Sequence, residues 1–138
     1  MKLAFAVLAT LVGASTAAAS PTGLRIYAIG DKSAPVLTGA DIVRSSVTVG
    51  TSGGHPAVAL KFTKAGGLKF HQLTLSLARL GARTHRVEYF AFAVNGKVYF
   101  RPALDYRKTP EGLSSAPLAI QLPTMATARR FAALIRGR

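Results

Sequence analysis

Asn95-Gly96 lies between two runs of strand-forming residues, FAFAV and KVYF, and this dipeptide most narrows what the chain can fold into. A two-residue type I′ turn needs positive φ at both central positions, which Asn and Gly tolerate, and aromatic or β-branched flanks then pair as antiparallel strands. The neighbouring Gly96-Lys97 also invites a phosphate-loop reading. A Walker loop, however, needs a glycine five positions earlier and a Ser or Thr after the lysine, so that backbone N–H groups cradle phosphate and the hydroxyl holds magnesium. Ala91 and Val98 occupy those positions. The stretch is therefore expected to be a β-hairpin, with Asn95, Gly96, Lys97 and Pro102 as structural residues.

Periodicity supplies the other elements. Residues 20–37 read as a linker or an edge strand, with one strand-like run from Leu24 to Ile29. Val47 and Val49 alternate, as do Val58, Leu60 and Phe62, so two half-buried strands should form a hairpin across the loop GTSGGHP. From Lys64 to Gly81 the period becomes helical, with Gly66, Phe70, Leu73 and Leu77 forming one stripe. The opposite side carries Lys64, Leu68, His71, Leu75 and Arg79. These five residues mark either a docking face for an apolar segment or membrane surface, or a face covered by a loop or a curling sheet. After RVEYFAFAV and KVYFRPAL come a polar loop, a short strand PLAIQL, and a last helix capped by Thr124. Its inward stripe is Ala128, Phe131, Ala132 and Ile135, and Gly137 ends it. The expected fold class is α+β: two helices on one face of an antiparallel or mixed sheet, in the order β-β-α-β-β-β-α.

The first residues pair one cation, Lys2, with an apolar run from Leu3 to Val12 and the small residues Ala17-Ala18-Ala19, the pattern of a secretory signal over residues 1–19. No stretch approaches the roughly 20 apolar residues of a membrane span. An exported product, periplasmic or extracellular, is expected, with 138 minus 19, or 119, residues in a single domain. The chain has no cysteine, which excludes disulfides, zinc–thiolate sites, thiol catalysis and acylation of a leader cysteine. Removal of Lys2 takes the formal charge from +13 to about +12, with only Asp31, Asp41, Glu88, Asp105 and Glu111 as acids. Such a surface attracts polyanions, or simply keeps the protein soluble.

Candidate chemistry is sparse. Gly50-Thr51-Ser52-Gly53-Gly54 matches the G-x-S-x-G pattern with His55 beside it, but an elbow needs a helix to leave it, whereas a strand pattern follows. His55, His71 and His85 are too widely spaced to converge on a metal, and no two carboxylates share an element as a general acid and base. No cofactor or metal site, and no enzymatic activity, is expected. Aromatics and cations alternate in the late strands as in single-strand-binding sheets, yet the RNP pattern is missing.

TGADIVRSSV, GGHPAVALKFTKAGGLKFHQLT, FAVNGKVYFRPAL and TMATARRFAALIRGR follow one another in this order, and with this ordered set residues 38–137 resemble the periplasmic head domain of the protein-export subunit SecD. TGADIVRSSV is similar to that family's opening stretch, and GGHPAVALKFTKAGGLKFHQLT to its strand and glycine-containing helix start. FAVNGKVYFRPAL matches its central hairpin with Gly96, Lys97, Val98 and Pro102 in place, and TMATARRFAALIRGR its last helix. Asn95 stands where an Asp is usual, Ala126 and Thr127 where two acids are usual, and YRKTPEGLSSAP replaces a glycine-rich segment. The resemblance implies a noncatalytic module that captures emerging preprotein, here as a free-standing relative over residues 38–138 without the family's proton-coupled membrane helices. The expected partner is an extended or partly folded polypeptide, with the export machinery, held by a strand edge and the face of Lys64, Leu68, His71, Leu75 and Arg79. The competing expectation is a basic envelope protein binding anionic polymer or lipid.

Overall fold

The structure, a computed structural model, describes residues 23–114 and 117–137; the leader expected over residues 1–19 lies outside the described residues. The elements are β1 (Leu24–Ile29), β2 (Leu37–Thr38), a 3-10 turn (Gly39–Asp41), β3 (Ile42–Ser52), β4 (His55–Phe62), α1 (Lys64–Thr84), β5 (Glu88–Val94), β6 (Lys97–Phe100), β7 (Ala103–Leu104), β8 (Leu118–Gln121) and α2 (Met125–Arg136). The α+β class and the order of elements follow the sequence reading. The strands divide, however, into two antiparallel sheets where one was expected: β2-β1-β5-β6 with β7 also on β5, and β3-β4-β8. Each helix has its own sheet, α1 lying against β5 and β1, and α2 against β3 and β4.

The segment that reads as a linker or an edge strand pairs on both sides. β1 follows β5 from Leu24↔Val94 to Ile29↔Tyr89 and meets β2 at Arg25 and Ile26. Leu24 and Ile26 are wholly buried. The predicted hairpin turn holds Asn95 at φ 51° and Gly96 at φ 83°, and Lys97 pairs with Val94. A second turn of the same kind, Gly53 (φ 57°) and Gly54 (φ 80°), joins β3 to β4 and is tighter than the sequence loop implied.

Both helices are capped by threonine. Thr63 Oγ1 accepts from Gly66 N at 3.0 Å, and Thr124 Oγ1 accepts from Thr127 N at 3.1 Å, each satisfying an otherwise orphaned donor of the first turn. α2 ends at Gly137, as its sequence predicts, and buries Ala128, Phe131, Ala132 and Ile135. α1 continues past Gly81 to Thr84 and stops only where His85 turns left-handed (φ 57°). Gly81 is instead a clearance residue, since a Cβ there would lie 2.6 Å from Arg86 O and 3.0 Å from the Tyr106 ring.

A run of aromatic contacts crosses the core from one sheet to the other. Phe62 of β4 stacks on Phe70 of α1 at 4.7 Å, Phe70 meets Phe90 at 5.8 Å, and Phe92 meets Phe100 at 6.0 Å. Tyr99 of β6 then touches Phe131 of α2 at 5.4 Å. Such pairs add directional preference to the area they bury, so the two layers share one core.

Candidate functional site

The placement of α1 is fixed at its first turn by residues far apart in sequence. Thr38 and Asp41 form a capping box on the 3-10 turn, Thr38 N donating to Asp41 Oδ2 at 2.9 Å. Asp41 is buried; its backbone oxygen accepts from Thr63 N at 2.9 Å, and its carboxylate takes Lys69 Nζ at 3.1 Å. Gly66 makes the approach possible, because a Cβ there would lie 2.1 Å from Asp41 O. The residues of TGAD and of KAGGLKF that carry the resemblance therefore meet one another, and their work is architectural.

This junction presents the outer side of α1. Lys64 and Arg79 are exposed, and Leu68 is 61% exposed, the most exposed large apolar residue among those described. His71 and Leu75 are separated from that solvent face by the loop after β7. Leu113 O bonds His71 Nδ1 at 3.0 Å, Leu113 N donates to Thr74 Oγ1 at 2.9 Å, and Gly112 lies so close that a Cβ would be 2.7 Å from Leu75 N. Of the five face residues named from periodicity, the structure leaves Lys64, Leu68 and Arg79 open, half-buries Leu75, and commits His71 to the loop.

Beside Leu75 the face deepens into a groove of about 400 Å³, walled by Gln72, Ser76, Arg79 and Arg83 of α1 and by Gly30, Asp31 and Ser33 of the β1–β2 loop. Leu68, Gln72, Leu75, Arg79 and Arg83 fall at steps of three and four, so Leu68 continues the helical wall of the groove. The β1–β2 loop is held to that wall by Asp31, which accepts from Ser33 N at 3.1 Å, Ser33 Oγ at 2.6 Å and Ser76 Oγ. These bonds, that to the Ser33 hydroxyl foremost, hold the Asp31 carboxyl below its usual range. Periodicity missed the groove because its second wall comes from a loop some forty residues earlier.

The other candidates settle elsewhere. Ser52 ends β3 opposite His55, and a strand leaves the turn, so the hydroxyl is not raised above a sheet by a strand-to-helix elbow. No cluster of three metal-ligating side chains occurs among the described residues. In the hairpin, Lys97 Nζ sits 4.9 Å over the Tyr99 ring, and Pro102 O accepts from Phe90 N at 3.1 Å. No described helix is long and apolar enough to cross a membrane.

Comparison with known proteins gives one consistent result. The family model for the SecDF P1 head subdomain matches residues 25–137, a span that takes in β1. A crystal structure of SecDF in a super-membrane-facing form superposes with a TM-score of 0.56 at 25% identity, covering 75% of this chain and 12% of that one. The structure of a membrane component SecDF that enhances protein export superposes with a TM-score of 0.54 at 24% identity, covering 73% of this chain and 40% of that one. The chain thus corresponds to less than half the length of either. No curated protein sequence matches it significantly.

Proposed function

Because the chain belongs to the SecDF P1 head subdomain family, we propose that it is an exported binding module, with no reaction of its own, that holds extended or partly folded polypeptide during protein export. The observation that carries this reading is Leu68, exposed and in line with the groove of Leu75, Arg79 and Arg83. An apolar side chain left mostly in water at the end of a groove contributes little to folding, whereas covering its exposed part with a partner contributes about 1 to 2 kcal/mol. Lys64 stands one turn before it and Arg79 lies further along the groove beyond Leu75, supplying charge that tolerates many sequences. His71 serves by fixing the covering loop.

The test is Leu68→Gln, measured by fluorescence anisotropy with a labelled, permanently unfolded polypeptide. Binding should weaken by about ten-fold, the equivalent of about 1.4 kcal/mol, while the melting temperature stays unchanged. Binding that is indifferent to this substitution would remove the α1 face from the reading. A salt titration separates the anionic-polymer alternative, whose affinity falls steeply as screening rises, from apolar docking, whose affinity does not.

A further inference from the structure

Among the described residues, no helix packs on the outer face of the five-stranded sheet. β5 turns Phe90 and Phe92 toward α1 and Ala91 and Ala93 the opposite way, and the register places Tyr27 beside Ala91, Val98 beside Ala93 and Ile29 beside Tyr89 on that outer face. The alanines are covered by these neighbours, but Val98 and Tyr89 remain 45% and 42% exposed. A recess of about 660 Å³ lies between Tyr27–Ile29 of β1, with Gly30 after it, and Val98–Phe100 of β6, with Arg101 after it. A smaller one, about 230 Å³, continues beyond Tyr27 to Arg25 and Val36, and Lys32 lines both. Arg101 closes the far end over the Tyr89 ring at 5.8 Å. Asp31, the acid that borders this track, is already held by Ser33 and Ser76.

We propose that this sheet face is a second binding surface, separate from the α1 face, and that it takes an extended acidic polypeptide segment. β1 and β6 flank β5, so the track between them is two strand spacings wide, about 10 Å, which is room for one extended chain lying along β5. Apolar side chains of the segment lie against Tyr27, Ile29 and Val98, and its carboxylates meet Lys32 and Arg101. The guanidinium is suited to this because it pairs with a carboxylate through two parallel bonds. A second copy of the chain is a poor occupant, since it would bring the same cations face to face. An anionic bilayer is a poorer one: interfacial docking inserts a broad set of protruding apolar side chains, and here only Val98 and Tyr89 stand out while Tyr27 and Ile29 are half-buried in the recess.

The test uses a short labelled peptide in which glutamate alternates with phenylalanine, and its counterpart with lysine in place of glutamate. The acidic peptide should bind, the basic one should not, and Val98→Gln should weaken binding. The double variant Lys32→Glu, Arg101→Glu changes only exposed side chains; it should lose about ten-fold or more for the acidic peptide and gain affinity for the basic one. Equal binding of both peptides, or acidic-peptide binding that survives the double reversal, would overturn the proposal. Loss of acidic-peptide binding in Leu68→Gln would assign the peptide to α1 instead. Anionic vesicles that displace the acidic peptide and bind the wild-type protein more tightly would give the face to a membrane.

Discussion

Gly66 shows how much a single atom decides. In most helix interiors a glycine-to-alanine change gains up to about 1 kcal/mol from propensity. At Gly66 the added carbon would stand 2.1 Å from Asp41 O and 2.8 Å from Asp41 Cβ, both on a buried residue that cannot move without releasing Lys69 and Thr63. Overpacking of this kind costs about 1 to 3 kcal/mol, so the clash wins. Gly66→Ala should lower the melting temperature, and an unchanged or raised melting curve would show that the junction is looser than described. The sequence does place Gly66 on the buried stripe. It does not show that the residue is there for clearance, because Asp41 is 25 positions away. Asn95-Gly96, Thr124 and Gly137 were legible for the converse reason: each turn or cap is settled by partners within a few residues. The helical period read from sequence ends at Gly81, whereas the approach of Arg86 and Tyr106 gives that glycine its purpose inside the helix.

At the scale of elements, two loops decide how much of α1 faces water. The loop of Gly112 and Leu113 covers Leu75 and His71, while the β1–β2 loop is held to the helix through Asp31 and Ser76. Asp31 has a folded-state carboxyl below 3.8, so its contribution to stability is fully present above that value and is lost as pH falls through the lower folded value. Acidification below about pH 4 should therefore loosen this loop from α1. Ser76→Ala should melt lower than wild type at neutral pH, with the gap narrowing toward pH 3, as followed by thermal melts across about pH 3 to 6. No gap at neutral pH would mean that the bond does not stabilise the fold, and a gap that stays constant over that range would mean that Ser76 acts otherwise than through the ionised Asp31. The helix stripe was readable from 3.6-residue periodicity, but periodicity describes one element by itself. Which loop lies over the reverse side depends on Asp31 and Leu113, 45 and 39 positions from their partners on the helix.

For the molecule as a whole, the sequence order of strands and helices was readable, whereas the division into two sheets was not. β8 is a short apolar run that would suit either sheet, and its return to β4, at Ala57↔Gln121 through Leu60↔Leu118, is a long-range choice. The charge was readable at once: 18 cations face 5 acids, of which Asp41 and Asp105 are bonded by Lys69 and Arg107 and Glu88 lies 3.8 Å from Arg86. Self-repulsion among the remaining cations opposes the compact state. Raising salt from about 10 mM to about 150 mM shortens the screening length from about 30 Å to about 8 Å. The melting temperature should rise over that range, and a fall would show that attractive pairs dominate instead. One contact limits what else this surface does. β3 is an outer strand of its sheet, and the last turn of α2 lays Arg136 across it, with Nε and Nη2 donating to Val47 O at 3.2 and 2.7 Å. A free carbonyl row is a template on which a neighbouring chain can add a strand, and a guanidinium parked in that row interrupts the template with a charge that another copy must displace. At this edge of the β3-β4-β8 sheet the chain thus carries its own guard against growing into fibres.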